Sequence, residues 1–325
     1  MQFRFDEDQL AMRDAVRAFC EDRLDLKAIA QRERLAADQV TWVALAELGV
    51  LGMLAEDGAI GLVECSLIFE ELGAHLVSGP VVWSTLAARF IDGVVDGEVR
   101  VTGVELDVRS NTPIVIEHAA EADALVVLRN DRLELCEFTA LPPPTAGLGL
   151  DPLTPVAVLS SMPVGQLIAE GDAVTRLRNN GTVLCAALLV GVAQGALDVA
   201  RAYALEREQF GVPIGSFQAI KHLLADMYVR VELARAATYA AAAIVADPRA
   251  GDAHRAAGTA KLLAGEAGVA NGRTAVQVLG GMGFTWDMLP HYFLKRAWVL
   301  EQCFGTAASH AASIGSAIGF EVASR

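Results

Sequence analysis

Residues 203–218 of the chain read YALEREQFGVPIGSFQ, and this stretch contributes most to the fold assignment. Its pattern indicates the end of one helix at Gly211 and the start of the next at Gln218. Arg207 can be interpreted in two ways. An arginine at a helix end caps the last carbonyl groups through the helix dipole, or it binds an anionic ligand. On this stretch alone, capping is the simpler interpretation.

A second stretch, residues 277–284, reads QVLGGMGF. A Gly-Gly-x-Gly cluster directly after a helix frees backbone N–H groups and allows a ligand to approach the backbone closely. The same cluster is also typical of a flexible turn between helices. Because both stretches occur in one chain, separated by a long helical region, together they are far more specific than either alone.

The region around these two stretches is strongly helical. Beyond Asn179-Asn180-Gly181 one apolar face recurs at helical spacing, and turns are indicated at Pro248 to Gly251 and at Gly280 to Gly283. Four long helices joined by short turns predict an antiparallel four-helix bundle over residues 177–325. The residues of this apolar face are Ile220, Leu223, Leu224, Met227, Val231 and Ala234.

Residues 1–97 also have helical spacing, with one predicted helix ending at Gly73 as its C-cap and another starting after Pro80. Residues 98–176 contain short runs rich in β-branched residues, and Asn130-Asp131 lies between two of them as a predicted hairpin turn. The sequence therefore predicts a mostly α, α+β protein with three domains. They are an N-terminal helical domain (1–97), a small antiparallel β domain (98–176) and the C-terminal bundle (177–325).

The composition narrows the function classes. Hydrophobic residues make up 53% of the chain and charged residues 20%, which is typical of an ordered, core-rich protein. The net charge of −14 argues against nucleic-acid binding, which needs a basic surface. Five scattered cysteines and six isolated histidines give no pattern for a disulfide framework, a metal site or a hydrolase triad. With no export signal and no apolar run of membrane-spanning length, we expect a cytoplasmic protein.

The pattern Y-A-x-x-R-x-x-F-G-x-P-I-x-x-F-Q followed by Q-x-L-G-G-x-G-F resembles the acyl-CoA dehydrogenase family. The resemblance extends to residues 45–52 and 69–73 in the N-terminal part and is weak in the β region. It implies an FAD cofactor shared between subunits, in which one subunit holds the isoalloxazine ring and its neighbour binds the adenosine diphosphate end. By resemblance, the residues of that neighbour are Arg207, Phe210, Phe217, Gln218, Gln277, Val278, Leu279, Gly280 and Gly281.

The family's catalytic base is missing. Counting forward from the glycine cluster, the family's Glu in the x-Y-E-G-T stretch falls on Phe304, and a phenyl ring cannot accept a proton. Some relatives place the base and its arginine at the start of the first bundle helix, where this chain has Gly181 and Thr182. Glu301 is the nearby carboxylate that would serve as a displaced base. Its other interpretation is an ordinary surface glutamate.

The flavin-ring loop of the family is also reduced. The nearest remnant is Val104-Glu105-Leu106-Asp107, and no tryptophan occurs between Trp83 and Trp286. These losses favour a non-catalytic subunit of a heteromeric acyl-CoA dehydrogenase. Its partner would hold the base and most of the acyl-CoA, in a heterotetramer resembling those that act on steroid side chains, with an electron-transferring flavoprotein as electron acceptor. The alternatives are a self-sufficient homo-oligomeric dehydrogenase using Glu301 and a flavin-free structural relative.

Overall fold

The computed structural model describes residues 5–33, 35, 37–55, 60–106 and 113–319. Within these ranges the chain is mostly helical with a small sheet region, which confirms the predicted mostly α, α+β class. The helices are α1 (Glu7–Arg23), α2 (Gln39–Glu47), α3 (Leu62–Ala74), α4 (Val81–Ala87), α5 (Asp172–Glu206), α6 (Gln218–Ala246), α7 (Ala253–Leu279), α8 (Pro290–Gln302) and α9 (Ala307–Ala317). The strands are β1 (Val101–Leu106), β2 (Ile114–Glu117), β3 (Ala124–Arg129), β4 (Arg132–Cys136), β5 (Thr145–Gly147), β6 (Val156–Leu159), β7 (Gln166–Glu170), β8 (Glu208–Gln209) and β9 (Val212–Pro213).

Backbone contacts group the chain into two compact units that do not follow sequence order. The described residues of the first unit fall within 1–30, 66–77 and 182–325, and those of the second fall within 31–65 and 78–181. The division into domains 1–97, 98–176 and 177–325 stays a prediction. The N-terminal helices are shared between the two units because parts of α1 and α3 have their contacts with the bundle helices.

Helices of the first unit approach one another closely at glycines. An added Cβ on Gly73 in α3 would lie 2.2 Å from the carbonyl oxygen of Leu188 in α5. On Gly191 in α5 it would lie 2.0 Å from the carbonyl oxygen of Glu70. The prediction of Gly73 as a helix C-cap is therefore wrong: α3 continues to Ala74, and the glycine serves the contact between two backbones.

Substituting alanine for Gly191 tests this close approach. We expect Gly191→Ala to lower the free energy of unfolding by about 2 kcal/mol, because the methyl group forces α3 and α5 apart. The matched control is Gly315→Ala in α9, where an added Cβ meets no atom within 4 Å and stability should stay equal or rise slightly. Urea denaturation followed by circular dichroism measures both. Equal midpoints for the two variants would contradict the close packing of α3 on α5.

The second unit contains two small sheets, with strand orders β1-β3-β4-β7 and β2-β6-β5. The predicted hairpin at Asn130-Asp131 is confirmed, since Arg129 pairs with Arg132 across a two-residue turn. One pair departs from the predicted antiparallel arrangement, because β1 and β3 run parallel. The chain leaves the first sheet after β1, forms β2 in the other sheet, and returns in the original direction, which is a crossover connection.

Helix α5 begins earlier than predicted. It starts at Asp172, so Asn179, Asn180 and Gly181 lie inside the helix and do not mark its start. Among the described residues it is the one helix long and apolar enough to cross a membrane, but 83% of its most apolar window is buried inside the protein. That burial is typical of a central core helix.

Candidate functional site

Asn271 holds three bundle helices at fixed positions relative to one another along the bundle axis. Its side-chain Nδ2 is fully buried and donates hydrogen bonds to the carbonyl oxygens of Ala193 in α5 (3.2 Å) and Met227 in α6 (3.1 Å). At a rise of 1.5 Å per residue, the end of α7 lies about 12 Å along the helix axis from Asn271. The start of α6 lies about 14 Å along its axis from Met227. Because α6 and α7 run in opposite directions, the end of α7 and the start of α6 lie on the same side of Asn271 along the bundle axis. The two sequence stretches identified above therefore meet at one end of the bundle.

We call this the glycine-turn end and define it by residues 203–218 and 277–286. Its first segment is a tight hairpin of β8 and β9, in which Gln209 pairs with Val212. The two turn residues, Phe210 (φ +57°) and Gly211 (φ +81°), both have left-handed backbone conformations, as a two-residue hairpin turn requires. A phenylalanine rarely adopts this conformation. Its side chain is nevertheless 92% exposed, and its ring lies edge-on to Phe217 at 6.1 Å.

Arg207 lies between the end of α5 and this hairpin. Its N–H donates to the carbonyl oxygen of Tyr203, and its own carbonyl accepts from the N–H of Ile214, both at 2.8 Å. The backbone of Arg207 is thereby fixed on both sides, while the residue itself is exposed, as is Gln218 at the start of α6. The hairpin thus fixes the backbone from which the Arg207 side chain extends at the surface.

The second segment follows the end of α7. Gly280 has a φ of +65°, and its N–H donates to the carbonyl oxygen of Gln277. An added Cβ on Gly280 or Gly281 would meet nothing within 4 Å, so the backbone here is open to an incoming group. Val278 and Leu279 are buried, and of this run only Gln277 offers an exposed side chain. Val278 and Leu279 can therefore contribute only backbone atoms to a ligand.

The glycine-turn end also exposes large apolar side chains. These side chains belong to the same two segments as the open glycines and the exposed phenyl ring of the hairpin. An exposed apolar surface of this kind marks a place where another molecule binds. Sequence reasoning missed most of this set, because exposure depends on the fold. Its members are Leu205, Met282, Phe284 and Trp286, each more than half exposed.

Phe304, the position at which the sequence analysis expects the family's base, lies in a buried turn. Phe304 is 3% exposed with a φ of +52°, and Gly305 follows with a φ of +89°. The Nζ of Lys261, itself fully buried, donates to the carbonyl oxygens of Glu301 (3.0 Å) and Gly305 (2.9 Å). His310 Nε2 lies 2.9 Å from the carbonyl oxygen of Phe304. Burial lowers the pKa of His310, so the ring is neutral at pH 7.

The two features lie far apart on α7. Lys261 contacts the turn at 301–305, and the glycine turn starts after Leu279, about 27 Å away along the helix axis. One chain therefore carries the glycine-turn end and the Phe304 turn at separate levels of the bundle.

The carboxylate of Glu301 is already engaged in local hydrogen bonds. Its Oε1 accepts from the backbone N–H of Ala307 at 2.8 Å, where α9 begins, and its Oε2 accepts from Gln302 at 2.5 Å. The first bond satisfies a backbone N–H at the start of α9, and the second comes from the side chain of the last residue of α8. The side chain lies only one turn from Phe304 in sequence, but these bonds give it a structural role.

The remnant of the flavin-ring loop lies in the second unit. Val104, Glu105 and Leu106 form the end of β1, and Asp107 lies outside the described residues. Glu105 Oε1 accepts from Arg178 Nη1 at 2.6 Å, so its carboxylate ties β1 to α5. Gly181 and Thr182, the alternative positions for a base and its arginine, are both buried inside α5.

Family models match most of the chain. The model for the acyl-CoA dehydrogenase N-terminal domain matches residues 6–93, and the model for the C-terminal domain matches residues 172–319. The chain belongs to the acyl-CoA dehydrogenase family. As in the sequence comparison above, residues 94–171, which contain most of the β strands, lie outside both matches.

Two acyl-CoA dehydrogenases are similar in sequence. FadE34 of Mycobacterium tuberculosis is 36% identical over 285 residues, which cover 79% of this chain but only 39% of that protein. IpdE2 of Mycolicibacterium smegmatis is 31% identical over 310 residues, which cover 92% of this chain and 95% of that protein. The chain therefore spans well under half of FadE34 and nearly all of IpdE2.

Solved structures share the fold. The ChsE4-ChsE5 complex of Mycobacterium tuberculosis gives a TM-score of 0.85 at 24% identity, covering 99% of this chain and all of that one. The Tcur3481-Tcur3483 steroid acyl-CoA dehydrogenase variant gives 0.80 at 25% identity, covering 96% and 98%. The structure of PigA with FAD and proline gives 0.81 at 20% identity, covering 98% and 100%. One of these proteins thus binds FAD, and another is a complex of two differently named chains.

Proposed function

We propose that this chain is the subunit without a catalytic base in a heteromeric, FAD-dependent acyl-CoA dehydrogenase of the cytoplasm. Its partner subunit holds the base, the flavin ring and most of the acyl-CoA, and this chain binds the adenosine diphosphate end of FAD. The observation that carries the proposal is the combination of an open glycine-turn end with a buried phenylalanine at the position of the base. The first feature retains cofactor binding, and the second removes proton abstraction.

The glycine-turn end fits the diphosphate and adenosine part of FAD. The exposed Arg207 carries a guanidinium on a backbone held by two hydrogen bonds, and a guanidinium pairs well with phosphate oxygens. The open backbone at Gly280 and Gly281 accepts a group that any side chain there would obstruct. Phe210 and Phe217 offer apolar ring surface at the same end of the bundle. The combination of an exposed aromatic pair, a cation and two open glycines favours cofactor binding over the alternative of a flavin-free structural relative.

When bound, FAD supplies the acceptor for the hydride that leaves the β carbon in α,β-dehydrogenation. The residues of this chain contribute binding and positioning. Arg207 neutralises diphosphate charge, and Gln277 provides an exposed amide side chain next to the glycines. Phe304 neither accepts nor donates a proton, so removal of the α proton falls to the partner. The carboxylate of Glu301 accepts a hydrogen bond from the backbone at the start of α9. This structural role disfavours the alternative of a self-sufficient enzyme that uses Glu301 as its base.

The proposed partner and substrate class rest on relatives. The ChsE4-ChsE5 and Tcur3481-Tcur3483 structures each name two chains, and the second is called a steroid acyl-CoA dehydrogenase. A bulky, steroid-derived acyl-CoA accordingly is the substrate we propose. The electron acceptor we propose is an electron-transferring flavoprotein. The partner itself is a full-length acyl-CoA dehydrogenase chain, best sought among the neighbouring genes.

Flavin content tests the proposed binding role. In the complex co-expressed with the partner dehydrogenase, we expect Arg207→Ala to weaken FAD binding about tenfold or more, because a charge-assisted bond contributes about 1.5–3 kcal/mol. The ratio of flavin absorbance to protein absorbance after gel filtration measures the loss. The matched control is Arg255→Ala, an exposed arginine at the opposite end of α7, which should leave flavin content unchanged.

Two results would count against the proposal. Unchanged flavin content in the Arg207→Ala complex would remove the binding role of the glycine-turn end. Full flavin loading and turnover by this chain without any partner would remove the division of labour. The chain purified alone should instead be colourless or weakly coloured and inactive.

A further inference from the structure

A cavity of about 320 Å³ lies in the second unit, beside the sheet formed by β2, β6 and β5. All of its lining residues fall between positions 116 and 159, so the cavity is built within one unit of the chain. None of the roles proposed above uses it. We call it the β5–β6 cavity and define it by Ile116, Phe138, Leu141, Ala146 and Ala157.

One face of the sheet forms the floor of the cavity. Ile116 of β2 pairs with Ala157 of β6, which also pairs with Ala146 of β5, and all three line the cavity. Cross-strand partners lie on the same face of a sheet, and so does Leu159, two residues along β6. Strands usually carry branched or aromatic side chains. The two adjacent alanines in this row therefore leave empty the space that larger side chains would occupy.

The roof of the cavity comes from the segment between β4 and β5. Phe138 and Leu141 line the cavity and pack against the buried core that contains Ile116 and Leu159. Pro144, the last of three consecutive prolines, also lines it. A proline ring fixes φ at about −65°, so this segment has little freedom to collapse into the space below. The roof thus covers the floor without filling the cavity.

The wall at residues 119–120 is held in place by a buried network of polar groups. The preceding residue, His118, has a φ of +57°, and its N–H donates to the carbonyl oxygen of Pro155 at 2.7 Å. Its ring contacts the carboxylate of Glu121, which also accepts from Arg100 Nη1 at 3.3 Å. The side chains of these three residues are at most 6% exposed. The wall is therefore formed before a ligand arrives, which lowers the ordering cost of binding.

The chemistry of the lining defines the kind of ligand. Among the described residues that line the cavity every side chain is apolar, so a charged ligand would lose its hydration without gaining a partner. An apolar cavity of about 150 Å³ binds benzene. The β5–β6 cavity has about twice this volume, which suits two fused six-membered rings. Ala120 and Ala146 line it and are exposed, so a ligand can enter from the solvent.

We propose that the β5–β6 cavity is a binding site for a neutral hydrocarbon group of two fused six-membered rings. Because the roof covers the floor, a small ring system fits where a helix or strand of another protein does not. All of its walls belong to the second unit, whereas Arg207 belongs to the first. The site is therefore independent of FAD, and its failure would leave the role proposed for Arg207 untouched.

Titration of the purified full-length chain with 1-fluoronaphthalene, followed by fluorine NMR, tests the site. We expect saturable binding of one molecule per chain within the aqueous solubility of the probe. The same ring system with a carboxylate, 4-fluoro-1-naphthoate, should bind at least tenfold more weakly at pH 7, because the lining offers no partner for the charge. Ala157→Leu fills the floor with a larger side chain and should raise the dissociation constant of 1-fluoronaphthalene at least tenfold. Ala146→Leu, at the exposed rim, should do the same.

The matched control is Val115→Leu, which enlarges an exposed side chain on the opposite face of β2 and should leave binding unchanged. Circular dichroism checks that all three variants fold. The probe should also raise the melting temperature of the wild type and of Val115→Leu, but not that of the two cavity-filling variants.

Four results would overturn the proposal. They are the absence of saturable binding, equal affinity for the neutral and the charged probe, wild-type affinity in both folded cavity-filling variants, and loss of binding in Val115→Leu. Displacement of the probe when a partner dehydrogenase is added would assign the cavity to a protein contact and would also overturn it.

Discussion

Replacing Phe304 with glutamate, the residue type that the family uses as its base, is expected to destabilise this chain without restoring catalysis. The side chain is 3% exposed and lies in a turn tied by Lys261 and His310. An uncompensated buried charge costs about 3–5 kcal/mol. Burial also raises the pKa of the new carboxyl group. The folded state then binds more protons than the unfolded state above about pH 4.3, so the loss of stability grows as the pH rises.

Urea denaturation of wild type, Phe304→Glu and Phe304→Gln at pH 5 and pH 8 measures this effect. The glutamine variant has the same shape and does not titrate, so its deficit relative to wild type should not depend on pH. His310 titrates in all three proteins, and comparing them at each pH removes its contribution. A pH-independent deficit for Phe304→Glu would show that the position is open to solvent. Flavin-dependent turnover by that variant alone would contradict the non-catalytic role.

Lys261→Met is expected to lower the free energy of unfolding by about 3 kcal/mol. The variant keeps the volume of the side chain and removes the donor to two carbonyl oxygens, those of Glu301 and Gly305. Each buried acceptor left without a donor costs about 1–3 kcal/mol. Thermal and urea unfolding measure the loss. Hydrogen exchange should also accelerate for residues 303–307, because the turn loses its attachment to α7.

The control for Lys261→Met is Lys221→Met, an exposed lysine of α6, which should change stability by less than about 0.5 kcal/mol. Equal melting temperatures for the two variants would mean that the buried lysine is not what holds the turn. If stability fell but exchange at 303–307 did not change, the lysine would support the bundle in general and not the turn.

The bundle and the positions of its turns were predictable from sequence because they depend on local patterns. The apolar spacing around Met227 follows from helix periodicity. The breaks in helical structure near Gly211 and Gly280 follow from backbone sterics. The turn at Asn130-Asp131 was predictable for the same reason. These features need only neighbouring residues, and the structure confirms the turns at Gly280 and Asn130-Asp131. The predicted helix end at Gly211 is wrong, because α5 ends at Glu206 and Gly211 lies in the turn of the β8–β9 hairpin.

Features that depend on distant residues were not predictable. Gly73 has the sequence context of a helix cap, yet its role comes from the backbone of α5. The parallel pairing of β1 with β3 depends on β2 joining another sheet. Lys261 carries no signal that it binds carbonyl groups forty residues later in the chain. Asn271 gave a weak signal, as a polar residue within an alanine- and glycine-rich helix.

For the candidate site, the residues of the glycine-turn end were predicted by resemblance, but their unequal exposure was not. Gln277, Gly280 and Gly281 reach the surface, whereas Val278 and Leu279 point into the core. Helical geometry at the end of α7 decides this, since successive residues turn by about 100° around the axis. Their roles in FAD binding stay predictions until the Arg207 experiment is done.

The distance along α7 between the Phe304 turn and the glycine-turn end has an evolutionary consequence. Substitutions more than about 10 Å apart with no shared partners have nearly additive effects. After a gene duplication, one copy can therefore lose its proton-abstracting carboxylate while selection continues to maintain its nucleotide-binding end. Under the proposed function, this separation of about 27 Å would allow a self-sufficient ancestor to divide catalysis and cofactor binding between two descendants.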